Sequence, residues 1–416
     1  MLINLRNALM AGKRLPYDAE VEFLQSDGQA FVNTGFVVEE GSKITCNIGM
    51  ASSYGSTYGY FGASDGTGSY LGGGFNCTSP FSDRRLSVWL KNYLYWCLSA
   101  NSTNVYQDGA LHTMQFETSP TIQSVAFDGT AIPYGAGFQS GVGAMPSIPT
   151  YLFAVNSAGT SKIVPASAAV KIGSFRVEKN DEIKLDVIAV RKGTVGYLYD
   201  RVSGKLFGNA GTGDFVLGPD VVPVEYIESH GTEWMDIYTF TGSETSLRYN
   251  IDFVITQDSS SSQDYILGVD SLGRVGPRLI KFGSYFWYSC DSGSAVYGQS
   301  ASLNQRYDID FTYNSDGTIE SSINGGAIST YQRTFYSSQG RFNYLFGMAG
   351  NNTYGMIGRV YRMKMWADST LVRFFLPVRV GTEGAMMDVL TRRIYRNAGT
   401  GAFTYGNDLK YPIPAE

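Results

Sequence analysis

Histidine is scarce in this chain, since only His112 and His230 occur. Catalysis by a serine or cysteine nucleophile usually needs a base such as histidine beside it. His112 falls in a predicted strand, whereas His230 falls in a predicted Ser-His-Gly turn. The two positions are not equivalent in the internal repeat described below, and neither has an evident nucleophile near it in sequence. We therefore predict no histidine-based catalysis.

Carboxylates offer a second kind of chemistry, because glycoside hydrolysis needs only a pair of them. Asp18, Glu20 and Glu22 lie close together, with Glu20 and Glu22 on alternate residues. They fall at a predicted edge strand, where charges more often discourage pairing with other sheets. No Glu-x-Asp-x-x-Glu run, which would aim several carboxylates into one cleft, occurs. The sequence predicts no enzyme, with a polysaccharide depolymerase as the alternative left open.

Metal binding has weak support. Asp65, Asp258 and Asp270 are loop residues with oxygen ligands, but no cluster shows the dense, regular spacing of calcium loops. We predict no cofactor, and a structural calcium ion stays open but unsupported. Three of the four cysteines (Cys46, Cys77, Cys97 and Cys290) lie in the first half. A disulfide framework would repeat with the chain, so we expect free, mostly buried thiols.

Aromatic side chains are the strongest candidates for binding. They occur in a Gly/Ser-rich loop, in a cluster around Trp89, and in a second cluster around Phe286. Strand alternation sends half of the rings of a cluster into the core and half outward, where a flat ring can stack on a sugar. The predicted carbohydrate-binding residues are Tyr54, Tyr58, Tyr93, Tyr95, Trp96, Tyr285, Trp287 and Tyr288.

The elements that position these residues repeat along the chain. Asn209–Phe215 (NAGTGDF) returns as Asn397–Phe403 (NAGTGAF), 188 residues later, and Val21–Gly28 returns as Val224–Gly231, 203 residues later. The shift shrinks along the repeat, as expected when loops shorten on a fixed scaffold. We predict two copies of one domain, 17–220 and 221–416, joined by a short linker with two prolines.

Strand signals dominate both copies. The chain has 49 Gly, 29 Tyr and 24 Phe, which favour strands and tight turns. Asp128-Gly129 and Asn324-Gly325 fit type I′ hairpin turns. No segment of 12 or more residues inside either copy has a helical period, so the fold class is all-β, with two β-sandwiches. The net charge of −5 argues against nucleic acid, and no apolar run is long enough for membrane insertion.

The head Val224–Gly231, the tail Leu371–Pro377 with Asn397-Ala-Gly-Thr-Gly, and the hairpins resemble a known family. They are similar to the laminin-G-like branch of the concanavalin A-like jelly rolls, in a subgroup found in structural and receptor-binding proteins of phages and prophages of gut bacteria. The resemblance implies two tandem concanavalin A-like (laminin-G-like) jelly-roll β-sandwiches. It also implies carbohydrate or protein binding, and it does not imply catalysis.

Residues 1–16 belong to neither copy. Leu2, Leu5 and Leu9 have helical spacing, which predicts a short helix for docking or oligomerisation, with a frayed terminus as the alternative. They lack the features of a signal peptide. Together these features predict a virion protein (fibre, spike or decoration) that is assembled in the bacterial cytoplasm and binds a host-surface glycan or protein. Its other expected partners are virion proteins and identical chains, a trimer being favoured. The alternative is a purely architectural capsid or tail protein.

Overall fold

The computed structural model of the protein describes most of the chain. The described residues are 15–49, 58–66, 69–76, 85–91, 93–97, 108–118, 125–132, 134–137, 144–163, 169–240, 244–259, 263–269, 277–289, 295–332, 341–347 and 355–409. The chain divides into two compact units, Met1–Asp220 (unit 1) and Val221–Glu416 (unit 2). Within the described residues the regular structure is strand and none is helix, which confirms the predicted all-β class. The predicted helix, with Leu2, Leu5 and Leu9, lies outside these residues.

The strands of unit 1 are short and numerous, as the many turn residues predict. They are β1 Ala19–Val21, β2 Leu24–Ser26, β3 Val32–Asn33, β4 Lys43–Gly49, β5 Tyr58–Ser64, β6 Tyr70–Asn76, β7 Arg85–Lys91, β8 Tyr93–Cys97, β9 His112–Glu117, β10 Val125–Phe127, β11 Thr130–Ile132, β12 Tyr134–Gly137, β13 Tyr151–Leu152, β14 Ala154–Ser157, β15 Thr160–Ile163, β16 Lys171–Lys179, β17 Glu182–Lys192, β18 Val195–Asp200, β19 Leu206–Phe207 and β20 Phe215–Leu217.

The next strand, β21, begins at Asp220 and leads into unit 2. The strands of this unit are β21 Asp220–Pro223, β22 Ile227–His230, β23 Met235–Phe240, β24 Ser246–Gln257, β25 Gln263–Gly268, β26 Arg278–Phe282, β27 Tyr285–Ser289, β28 Ala295–Ser300, β29 Arg306–Asn314, β30 Thr318–Ile323, β31 Ser329–Gln332, β32 Arg341–Leu345, β33 Ile357–Ala367, β34 Thr370–Val380, β35 Glu383–Asp388, β36 Ile394–Tyr395 and β37 Thr404–Tyr405.

Each unit contains a large and a small sheet, and the strands that the two units have in common follow the same order. The pairing is antiparallel, except that β14 pairs in parallel with β5 in unit 1. The large sheet of unit 1 runs β11-β10-β9-β4-β16-β17-β18-β19. The large sheet of unit 2 runs β31-β30-β29-β24-β33-β34-β35-β36. The small sheets run β8-β7-β6-β5-β13-β3 and β28-β27-β26-β25-β32-β23. The repeat in the sequence is therefore also a repeat in strand pairing.

Apolar side chains from both sheets of a unit meet in a shared core, which makes each unit a sandwich. In unit 1 the ring of Phe61, from the small sheet, lies 4.9 Å from that of Phe175 in the large sheet. In unit 2 the ring of Phe286, from the small sheet, lies 4.9 Å from that of Tyr307 in the large sheet. Cys46 is a free thiol inside the first core, and burial raises its pKa far above the ordinary value. Cys97 belongs to β8, but its side chain, like Cys77 and Cys290, lies outside the description.

The two predicted hairpin turns have the expected backbone. Asp128 and Gly129 both have positive φ (52° and 82°), as do Asn324 and Gly325 (52° and 70°). In each turn the side-chain oxygen of the first residue also accepts a hydrogen bond from a backbone N–H of the neighbouring strand, β9 in unit 1 and β29 in unit 2. Thr113 donates to Asp128 Oδ1 over 2.9 Å, and Asp308 donates to Asn324 Oδ1 over 2.8 Å.

The repeated Asn-Ala-Gly-Thr-Gly motif is a structural turn in both units. Asn209 Oδ1 accepts hydrogen bonds from the backbone N–H groups of Phe31 and Gly211, over 3.1 and 2.8 Å. Asn397 Oδ1 accepts the equivalent bonds from Trp234 and Gly399, over the same distances. The asparagine therefore ties the end of each unit to its own beginning. No helix in the described part of the chain is long and apolar enough to cross a membrane.

Candidate functional site

Strand β27 displays the alternation on which the aromatic prediction depends. Tyr285 is 49 % exposed, Phe286 is buried, Trp287 is partly buried and Tyr288 is fully buried. Phe286 and Tyr288 pack into the core of unit 2, where the Tyr288 ring lies 5.8 Å from that of Phe311. Tyr285 and Trp287 are therefore on the outer face of the small sheet, because successive residues of a strand face opposite sides.

This alternation corrects one of the predicted site residues. Tyr288 was predicted to bind carbohydrate, but its ring is inside the sandwich and cannot reach a ligand. Burial raises the pKa of its hydroxyl well above the ordinary value, against a hydrogen bond from Ser321. Adjacent residues of a regular strand cannot both face solvent, so Trp287 and Tyr288 could not both have been surface residues.

Phe282 completes an aromatic platform with Tyr285 and Trp287. The rings of Phe282 and Trp287 lie with their centroids 4.2 Å apart. Phe282 is paired with Tyr285 across the β26–β27 hairpin, whose turn contains Gly283 with φ +56°. Gln263 is paired with Phe282 on the other side and adds an amide to the platform. Flat rings beside an amide can stack on one face of a sugar ring and hydrogen-bond to its hydroxyls.

Unit 1 has an outward tryptophan on the matching strand. Trp89 lies on β7, which has the same position in its sheet as β27. Val88 and Leu90 on either side of it are buried, while Trp89 is only partly buried. The residue opposite Trp89 is Gly72, whereas the residue opposite Trp287 is Ile280. The bulges at Gly59/Phe61 and Tyr265/Leu267 correspond, so Trp287 matches Ser87. The two tryptophans therefore face the same way on corresponding strands but lie two residues apart in register.

Trp89 and Phe282 were not among the predicted site residues. Alternation could have found Trp89, because it stands between two aliphatic residues typical of an inward face. Phe282 had no comparable signal, since its place beside Trp287 follows from the hairpin register.

The other predicted aromatic residues are described only in part. Tyr93, Tyr95 and Trp96 belong to β8, next to β7, and Tyr58 is the first residue of β5; their side chains lie outside the description. Tyr54 lies outside the described residues. Of the predicted residues, the structure thus brings Tyr285 and Trp287 together on one face.

The histidines have carboxylate partners. His112 is 9 % exposed; its Nδ1 lies 2.8 Å from Asp128 Oδ2 and its Nε2 lies 3.1 Å from Asp108 Oδ1. His230 is exposed, with Nδ1 3.9 Å from Glu233 Oε1. Both ring nitrogens of His112 thus face carboxylates rather than a serine or cysteine nucleophile.

The carboxylates considered for metal binding have other partners. Asp65 accepts a hydrogen bond from the backbone of Ser69 over 3.3 Å, and Asp258 forms an ion pair with the buried Lys281. Among the described residues, no group of three or more metal-ligating side chains comes together. Asp270 lies outside them. The carboxylates considered for hydrolysis are also engaged, since Asp18 accepts a bond from Gly193 and Glu20 is buried.

Comparisons with known proteins give distant structural similarities. No protein-family profile matches the chain, and no curated protein matches it. Domains LG4-5 of the mouse laminin α1 chain align with 86 % of this chain and 93 % of their own length, at 11 % identity and a TM-score of 0.28. The LG1-3 region of the laminin α2 chain aligns with 94 % of this chain and 66 % of its own length, at 8 % identity and a TM-score of 0.29.

A Bacteroides ovatus protein named "putative carbohydrate binding protein" aligns over 95 % of both chains, at 12 % identity and a TM-score of 0.34. Similarities this distant do not assign the chain to a family. The sandwich architecture rests instead on the strand order and the shared cores described above.

Proposed function

We propose that this protein binds carbohydrate without cleaving it, and that Trp89 and Trp287 are the stacking surfaces of two separate sites. The observation that carries the proposal is the repeated outward tryptophan on the corresponding strands β7 and β27. The two tryptophans lie two residues apart in register, yet each copy has a large ring on the outer face of its small sheet. A partly exposed indole provides a rigid apolar face, which suits a sugar ring.

Two weak sites in one chain have a physical advantage. A single stacked sugar commonly gives millimolar affinity, about −4 kcal/mol. Linking two such sites can strengthen attachment to a surface by about 10²–10⁴, provided that both can engage at once. A duplicated binding unit therefore suits a ligand displayed in many copies, such as a cell-surface polysaccharide.

The setting that we propose is a phage or prophage particle, with the host-surface glycan as ligand. Its support is the resemblance of the head and tail motifs, and the helical spacing of Leu2, Leu5 and Leu9 at the start of the chain. In this proposal residues 1–16 attach the protein to other virion proteins or assemble it into a trimer. Detection of the protein in purified particles by mass spectrometry would support this setting, and its absence from them would contradict it.

A glycan array tests the binding proposal. Wild-type protein, displayed multivalently, should bind at least one bacterial glycan, and the double variant Trp89→Ala/Trp287→Ala should lose that binding. Trp366→Ala is a matched control, because Trp366 is a partly buried tryptophan of the large sheet of unit 2 and belongs to neither proposed site. Binding that persists in the double variant, or no binding by wild type, would reject the proposal. Release of reducing ends from the bound glycan would reject the claim that it is not cleaved.

A further inference from the structure

His112 joins two segments that are distant in sequence. Asp108 precedes β9, and Asp128 begins the turn of the β10–β11 hairpin; each places a carboxylate oxygen at one nitrogen of the imidazole. The ring also stacks on Phe127, with centroids 4.9 Å apart. We name His112, Asp108 and Asp128 the His112 clasp.

The clasp needs both ring protons. A neutral imidazole has one N–H donor and one acceptor nitrogen, whereas the imidazolium has two donors. Both partners are carboxylate oxygens, which at neutral pH only accept hydrogen bonds. A neutral His112 could satisfy one partner, and its other nitrogen would then direct a lone pair at the second carboxylate.

Asp108 is the contact that a neutral ring would lose. Its distance to the ring is 3.1 Å, against 2.8 Å for Asp128, and its side chain is 49 % exposed, against 23 %. Asp128 also accepts a hydrogen bond from the backbone of Thr113, which keeps the turn in place without the histidine. The remaining proton therefore stays between His112 and Asp128.

One further charged group acts on the same segment. Lys171 from β16 donates a hydrogen bond to the backbone carbonyl of Gly109 over 2.7 Å. On β4, the residue paired with His112 is the uncharged Ile48. Among the described residues, the charged groups around His112 are thus Asp108 and Asp128, together with Lys171, which contacts the backbone at Gly109.

We propose that the His112 clasp is a pH-sensitive contact that holds the segment Asp108–Ala110 against the large sheet of unit 1. When His112 loses a proton, the contact with Asp108 breaks and the segment becomes more mobile. The segment lies directly before β9, so its release would free the residues that lead into that strand. The turn at Asp128 would keep its place. This inference is independent of carbohydrate binding.

The direction of the pH effect follows from the charges. Burial alone would lower the pKa of His112, but the hydrogen bonds and charges of Asp128 and Asp108 outweigh it, so the pKa lies above its ordinary value. The clasp is therefore fully stabilising below about pH 6.5, the ordinary pKa of histidine. Its contribution is lost as the pH rises through the higher pKa of the folded protein.

NMR titration of the histidine ring tests the proposal in the full chain. His230→Gln leaves His112 as the only histidine, which makes its signals unambiguous. We expect a titration midpoint above 6.5, and we expect Asp108→Asn to move it downward. A midpoint at or below 6.5, or one that Asp108→Asn leaves unchanged, would overturn the proposal.

Amide hydrogen exchange measures the loosening itself. In the His230→Gln protein the protection factors of residues 108–111 should fall about tenfold or more across the titration, while those of 125–128 change less. In His112→Gln the protection of 108–111 should be low throughout and should not follow this titration. Equal pH dependence in both proteins would overturn the proposal, and the titration above remains decisive should His112→Gln fail to fold.

Discussion

Arg191 donates two parallel hydrogen bonds to the carboxylate of Asp220, over 2.7 and 2.6 Å. The pair returns 188 residues later as Arg379 and Asp408, over the same two distances. In each unit the pair connects a long strand of the large sheet to the segment that follows the last strand of the unit. The two copies thus share this two-point contact near the end of each unit as well as an apolar core.

Arg191→Lys should destabilise unit 1 by about 1 kcal/mol, because an ammonium cannot reproduce the planar two-point contact and the pair is partly exposed. Chemical denaturation monitored by tryptophan fluorescence would measure the loss. Lys184→Ala removes an exposed ion pair with Glu182 and should change the stability by less than about 0.5 kcal/mol. Equal losses in the two variants would contradict a special role for the paired geometry.

Gly211→Ala should be strongly destabilising, whereas Gly208→Ala, three residues earlier, should be nearly neutral. A Cβ at Gly211 would lie 1.9 Å from the backbone carbonyl oxygen of Gln29, while one at Gly208 would meet the Tyr197 ring at 3.5 Å. Forced movement of packed backbone costs about 1–3 kcal/mol. Thermal unfolding of the two variants would show whether the glycine is needed for this close approach, and similar melting temperatures would refute it.

Asp388→Ala should destabilise unit 2 by about 3 kcal/mol or more, because it leaves buried hydrogen-bond donors without an acceptor. Asp388 is fully buried and accepts hydrogen bonds from the backbone of Phe374 and Leu390 and from the Thr391 hydroxyl. Asp388→Asn should cost less. Burial raises the pKa of Asp388, against the lowering effects of Arg373 and these hydrogen bonds. A neutral amide avoids the cost of burying a charge, which offsets part of the interaction that it loses. Denaturation midpoints for both variants test this order, and a larger loss for the amide would contradict it.

Removal of residues 1–14 should convert an oligomer to a monomer if Leu2, Leu5 and Leu9 form an assembly helix. Light scattering of the full and shortened chains measures this change in mass. Leu5→Asp gives a milder version in the full chain, because a charge on the apolar stripe opposes burial. An identical mass for all three proteins would remove the oligomerising role.

Much of the fold was predictable from the repeat alone. The shift of 188 residues in the sequence is also the shift between β17 and β34 and between β18 and β35. The Asp-Gly and Asn-Gly pairs predicted turns whose positive φ angles the structure shows. The turn signals are local, since they depend on a few neighbouring residues and their backbone preferences.

The candidate site was less predictable, because a strand pattern gives the period but not which face is inward. Tyr285, Trp287 and Tyr288 looked alike in the sequence, yet Tyr288 is in the core. Which face of the strand is inward depends on the side chains that the opposite sheet packs against it, here the ring of Phe311 against Tyr288. The same holds for His112, whose second partner, Asp128, reaches it only through the pairing of β9 with β10.

The most direct test of two stacking sites is the number of ligands bound per chain. Using an oligosaccharide that both sites accept, an equilibrium titration should give two per wild-type chain and one for each of Trp89→Ala and Trp287→Ala. The double variant should bind none. An unchanged number in either single variant, with the protein still folded, would show that these rings do not form the sites and would contradict the account.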